Sequence, residues 1–335
     1  MGELLTLPKA HLHVHLEGSI RARTLSEMAN RHRLELPACA EHGSRFRDFA
    51  DFNLQYRVIR ACLQEAQDFR RVAFELCQDE AAQGVHYAEV TFTLGAHGPR
   101  LGSWDMPLES VLEGFAEGEQ AFGIKCRVIV DHGRSKPREL AWQALHAALR
   151  YRDLGVVGFG LGGDEKHPPE QFAEVFHVAI DGGLHSVPHA GETGGPESIR
   201  GAIHELRAER IGHGISVLDD ETLVEELKTR GIALEVCLTS NVAIPARVPS
   251  IDRHPLPDLM AAGLMVTLNA DTPAIFATPI ASEYQLARET FGLDDAALAG
   301  LAQASVTASF ADADTKTSLR RAIDSWLGAA KDTGR

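Results

Sequence analysis

The stretch Lys9-Ala10-His11-Leu12-His13-Val14-His15-Leu16-Glu17-Gly18 sets an imidazole at every second position of an apolar run. Successive side chains of a strand face opposite ways. His11, His13 and His15 are therefore expected on one face, with Leu12, Val14 and Leu16 on the other. Imidazoles gathered at an apolar strand end are costly to bury without a partner, and a divalent metal ion suits them. A surface strand with solvated histidines is the plain alternative. The acid and glycine that follow His-x-His favour the metal.

Five further polar clusters end apolar runs: Gly160-Leu161-Gly162-Gly163-Asp164-Glu165, His189-Ala190-Gly191-Glu192, Ile211-Gly212-His213-Gly214, Thr239-Ser240-Asn241 and Asn269-Ala270-Asp271-Thr272-Pro273. Neutral imidazoles with one carboxylate suit Zn²⁺ or another borderline ion. Such a site with an open position brings the pKa of water toward neutrality. A carboxyl such as Glu192 and an imidazole such as His213 can then move protons. The chemistry is metal-assisted hydrolysis or hydrolytic deamination, with amine, amide and ester leaving groups all open.

Something must bring these clusters together. Eight short β-branched or apolar runs, at residues 10–16, 85–93, 125–131, 156–162, 185–189, 210–214, 233–238 and 265–269, alternate with segments of helical apolar spacing such as 137–151, 170–181 and 221–230. Gly123, Gly155, Gly183, Gly231 and Gly263 stand where helices end before the next strand. Strict alternation predicts a parallel sheet, and eight units predict an α/β fold closed as a (β/α)8 barrel. Barrel sites form at the C-terminal ends of the strands, where the clusters lie. The first connection is long. Residues 17–84 carry helical patterns at 24–32, 49–66 and 68–83, read as an insertion over the mouth, with Phe46, Phe49, Phe52 and Leu54 as lid candidates. The whole chain, 1–335, is expected to be one domain.

The net charge of -14 is spread along the chain, which argues against nucleic acid or an anionic membrane as partner. No apolar run reaches membrane-spanning length, and the N-terminus lacks signal-peptide form. Five scattered cysteines (Cys39, Cys62, Cys77, Cys126, Cys237) without Cys-x-x-Cys indicate a reducing compartment, hence a cytoplasmic location.

The ordered motifs Pro8-Lys9-Ala10-His11-Leu12-His13-Val14-His15-Leu16-Glu17-Gly18, Gly162-Gly163-Asp164-Glu165, His189-Ala190-Gly191-Glu192, Arg210-Ile211-Gly212-His213-Gly214, Glu235-x-Cys237-x-Thr239-Ser240-Asn241 and Leu268-Asn269-x-Asp271-x-Pro273 resemble those of the adenosine deaminase family, metal-dependent barrels of the amidohydrolase group. The resemblance runs from Pro8 to beyond Pro273. It implies one Zn²⁺ held by His13, His15, His189 and Asp271. It implies that Glu192 protonates purine N1, that His213 orients and deprotonates the water, and that the Gly163 N–H meets N3. It places Glu17 near the sugar or its 5′ substituent. The implied partner is a small purine nucleoside or base. The implied activity is hydrolytic loss of the 6-amino group of an adenosine-like nucleoside. A 5′-modified nucleoside such as 6-aminodeoxyfutalosine, an intermediate of menaquinone biosynthesis, and free adenine are the alternatives, and another amidohydrolase-type reaction lies further off.

Three positions depart from the family pattern. Thr272 stands where a second Asp usually meets purine N7; N7 accepts, and a Thr hydroxyl donates as it stands. His11 stands in place of Glu and is expected to pack. Leu238 replaces Pro, with consequences for loop stiffness alone.

Overall fold

A computed structural model describes residues 2–36, 46–244 and 248–332. Eight strands, β1 (Lys9–His15), β2 (Val85–Phe92), β3 (Lys125–Gly133), β4 (Val156–Gly162), β5 (His185–Ala190), β6 (Arg210–His213), β7 (Ala233–Val236) and β8 (Val266–Leu268), pair in sequence order, all parallel. The ring shuts where Val14 bridges Asp271: the His15 N–H donates to the Asp271 carbonyl at 2.7 Å, and the Asp271 N–H to the His13 carbonyl at 3.0 Å. The expected (β/α)8 barrel is the observed fold. Helices between the strands, such as Arg138–Arg150 and Glu221–Arg230, cover it outside. Gly123, Gly183, Gly231 and Gly263 adopt positive φ at the helix-to-strand turns, as their placement required.

The first connection needs a correction. The helix Ala66–Ala82 packs on β2 and on the helix Asp105–Phe122, so it is the ordinary crossover of the outer ring. The extra material is confined to what precedes it, chiefly the helices Ala22–His32 and Phe49–Ala61. Of the lid candidates, Phe49 and Phe52 face the central cavity. Phe46 packs edge-on against Phe52 and Phe276. Leu54 is 60% exposed and turns away. Cys62, Cys77, Cys126 and Cys237 are buried free thiols, and Cys39 lies outside the described residues. Among the described residues no helix is long and apolar enough to cross a membrane.

Candidate active site

β1 does not alternate as its sequence suggests. The N–H groups of Leu12 and His13 both donate to Asn269 Oδ1, at 3.0 and 3.1 Å. Two successive amides aimed the same way mark a bulge, and the pairing with β2 shifts between His11 and Val14. His11 consequently leaves the face of His13 and His15. Its Nδ1 meets Glu80 on the outer ring at 2.8 Å, and its Nε2 accepts the Ala270 N–H at 2.9 Å. The three imidazoles do not share one face: His11 ties the barrel wall to its helix layer.

His13, His15, His189 and Asp271 converge. His15 Nε2 lies 3.1 Å from His189 Nε2 and 3.4 Å from Asp271 Oδ1, and His13 Nε2 is 3.9 Å from that same oxygen. His13 Nδ1 faces Glu235 Oε2 at 2.8 Å, so its proton goes to the carboxylate and the ring presents a lone pair at Nε2. That Nε2 is buried with no hydrogen-bond partner. Burial, reinforced by neighbouring imidazoles, pushes the pKa values of His13 and His189 well down and keeps both rings neutral, the form that ligates. Ser240 Oγ donates to Asp271 Oδ2. An orphaned lone pair among imidazoles and a carboxylate fits a divalent cation.

Backbone geometry is unusual where these side chains are aimed. His213 (φ 65°) and Asp271 (φ 59°) occupy the left-handed region, a conformation of non-glycine residues concentrated at functional sites. Gly163, at φ 97°, lines the cavity where a side chain would be strained.

Glu192 is buried, 3.7 Å from His213 Nε2. Burial pushes its carboxyl up to about 7, with His213 opposing and Asp271 and Glu165 adding to the rise. The loop that carries it is held by Glu165, whose oxygens accept the N–H groups of Gly191 (2.6 Å), Glu192 (2.8 Å) and Thr193 (2.8 Å).

A chain of hydrogen bonds fixes His213. The Leu256 N–H donates to His254 Nδ1 at 3.1 Å, so neutral His254 carries its proton on Nε2. That proton goes to Asn241 Oδ1 at 3.1 Å, which turns the amide NH₂ toward His213 Nδ1 at 3.0 Å. His213 Nδ1 accepts, and the proton of the neutral ring sits on Nε2, facing the cavity. Burial, then repulsion from His213, brings His254 down to about 3, so His254 itself is neutral at neutral pH. Replacing His254 by Phe is expected to lower kcat about tenfold, the worth of one net hydrogen bond of about 1–1.5 kcal/mol. His254→Gln, whose amide can donate again, should recover most of it in steady-state assays.

Two implied substrate contacts fare differently. Thr272 lines the cavity with its hydroxyl buried and unpartnered; its methyl fills the space beside Gly18, where a Cβ would come within 2.3 Å. Glu17 is not part of the cavity wall. It lies beneath it, its Oε1 meeting His97 Nε2 at 3.0 Å and the Thr93 N–H at 3.2 Å. Burial raises its pKa, but the His97 hydrogen bond and charge, the Arg60 charge and a backbone hydrogen bond together hold the carboxyl below its ordinary range. Asp131 was missed. It is buried at the end of β3, lines the cavity, and leaves Oδ1 unpartnered. The rule that barrel strands carry function at their C-terminal ends would have found it. His254 gave no such signal, being a loop residue far from any motif.

His15, His189, Glu192, His213 and Asp271 line a cavity of about 510 Å³ at the C-terminal ends of the strands. The family model described as adenosine deaminase matches residues 8–326. The chain belongs to the adenosine deaminase family. An aminodeoxyfutalosine deaminase of Streptomyces avermitilis is 40% identical over 96% of this chain and 92% of its own. The crystal structure of an adenine deaminase from Arthrobacter aurescens superposes with a TM-score of 0.89 at 30% identity, covering 96% of this chain and 99% of that one. A Burkholderia ambifaria amidohydrolase with bound Zn also reaches a TM-score of 0.89, at 25% identity over 99% of this chain and 93% of its own. This adenosine deaminase family member is a hydrolytic aminohydrolase of the adenosine, adenine or aminodeoxyfutalosine deaminase type.

Proposed function

We propose that the enzyme deaminates a 6-aminopurine nucleoside, using one Zn²⁺ bound by His13, His15, His189 and Asp271. The observation that carries this reading is a carboxylic acid with a pKa near 7 facing the imidazole–carboxylate cluster across the floor of one cavity. The ion, when bound, supplies acidity to water. Protonated Glu192 gives its proton to N1, which offsets the aromaticity lost as oxygen adds to C6. His213, a donor at Nε2, would hold the water oxygen in line; the hydroxyl proton of the C6 adduct would pass through the Glu192 carboxylate to the amine, which leaves as ammonia, and the proton shed by the water on activation would restore the Glu192 acid. The Thr272 hydroxyl donates to N7 and the Gly163 N–H to N3. Overall C6–NH₂ and one water become C6=O and ammonia, with a hydrogen left on N1. A cavity of about 510 Å³ is in the range of a drug-sized ligand, and it favours a nucleoside over a bare base.

Purified protein loaded with zinc is expected to release one ammonia per adenosine-type nucleoside converted. Chelation should abolish turnover and lower the melting temperature, both restored by zinc. Absence of ammonia from every 6-aminopurine tested would sink the reading.

A further inference from the structure

Charge is sorted along the depth of the cavity. Its acids, Asp131, Glu192 and Asp271, are all buried. Its bases, Arg57, Arg60, Arg100 and Lys136, are half-buried or exposed. They come from three separate elements: the helix Phe49–Ala61, the helix Leu94–Leu101 and the turn after β3. Among the described residues none of the four is in an ion pair. Other surface arginines are, as in Arg21–Asp79, Arg70–Glu117 and Arg150–Asp105. In a chain of net charge -14, four cations held in no ion pair around one opening, with the nearest carboxylates buried below them, favour a positive potential there.

Arg60 is the clearest member. Its guanidinium lies 4.8 Å over the Tyr56 ring and gives one long hydrogen bond, 3.3 Å, to Asn53 Oδ1. Its Nε is buried without an acceptor, and so is the hydroxyl of Tyr56 one helical turn earlier. Two buried donors thus stand together on one helix face, with Arg57 beside them and Lys136 on another element of the same cavity.

C6 and N9 lie on opposite sides of a purine. When C6 faces the floor, the sugar on N9 extends toward the opening. We propose that the basic rim binds an anion carried on the 5′ side of the nucleoside, so that the preferred substrate is a 6-aminopurine nucleoside ending in a carboxylate or phosphate. This inference rests on the nucleoside deaminase reading given above.

The test compares kcat/KM for adenosine, adenosine 5′-monophosphate, 5′-carboxymethylthio-5′-deoxyadenosine and the uncharged methyl ester of the last. At least one anionic compound should exceed both adenosine and the ester by tenfold or more. The winner identifies the anion as carboxylate or phosphate. The advantage should shrink severalfold between low and high salt. In Arg60→Gln, at a half-buried position, and Lys136→Gln, at an exposed one, the ratio of anionic to neutral kcat/KM should fall toward one, chiefly through KM. Calorimetric binding of inosine against inosine 5′-monophosphate and the 6-oxo counterpart of the carboxylate reads the rim without chemistry. If adenosine or the ester matches the anions, the rim has no such role while the deaminase reading stands. If nothing is turned over, the deaminase reading falls, and equal binding of neutral and anionic 6-oxo compounds would overturn the rim separately.

Discussion

Glu192→Gln is expected to cut kcat by about 10²–10⁴-fold, the span of general acid catalysis, with zinc content unchanged. The amide keeps the shape of the acid and can still donate a hydrogen bond to N1, but it has no proton to transfer. The pH dependence has a definite sign. Burial raises the Glu192 pKa to about 7, so the acid form is populated below neutrality and drains away as pH rises. Wild-type kcat/KM should therefore fall on the alkaline side, and the residual rate of the variant should lack that fall. Stopped assays across pH 5–9 measure both. A variant within threefold of wild type would remove Glu192 from the chemistry.

The second large effect is on stability. Arg210 is buried at the start of β6, bonding Glu235 through Nε at 2.6 Å, Glu89 through an η nitrogen, and the Ala308 carbonyl at 3.0 Å, with its guanidinium 4.0 Å over the Phe310 ring. Replacing it by Leu strands two carboxylates in the barrel interior. Breaking a buried pair this way costs about 3–5 kcal/mol, about 4–7 °C in melting temperature for a domain of this size. The stranded acids would have raised pKa values, so their neutral form is the tolerated one. The deficit should shrink as pH falls toward the ordinary carboxylate range and grow as it rises. Because Glu235 also takes the His13 Nδ1 proton, activity should suffer too. Denaturant titration at pH 5 and pH 8 reads the difference; a loss under about 1 kcal/mol would mean the network contributes little.

Much of this molecule was written in local pattern. Strand periods, glycine stops and the polar tails of successive strands follow from backbone stereochemistry, and the observed strands lie within two residues of the expected ones at each end. His13, His15, His189 and Asp271 were findable because a barrel assigns chemistry to strand ends. What escaped has a common cause. The bulge in β1 is set by the Asn269 side chain from the far end of the chain, so alternation alone sent His11 the wrong way. Glu17 and His97 pair across the first two connections, and His254 reaches His213 through Asn241. Each is a contact between distant segments that no window of sequence contains.

The bonds that shut the barrel run between His15 and Asp271 and between Asp271 and His13. The join between first and last strands is thus built from three members of the imidazole–carboxylate cluster. Parting those strands would carry His13 and His15 away from Asp271 in the same motion, so heat inactivation and loss of the fold are expected to coincide.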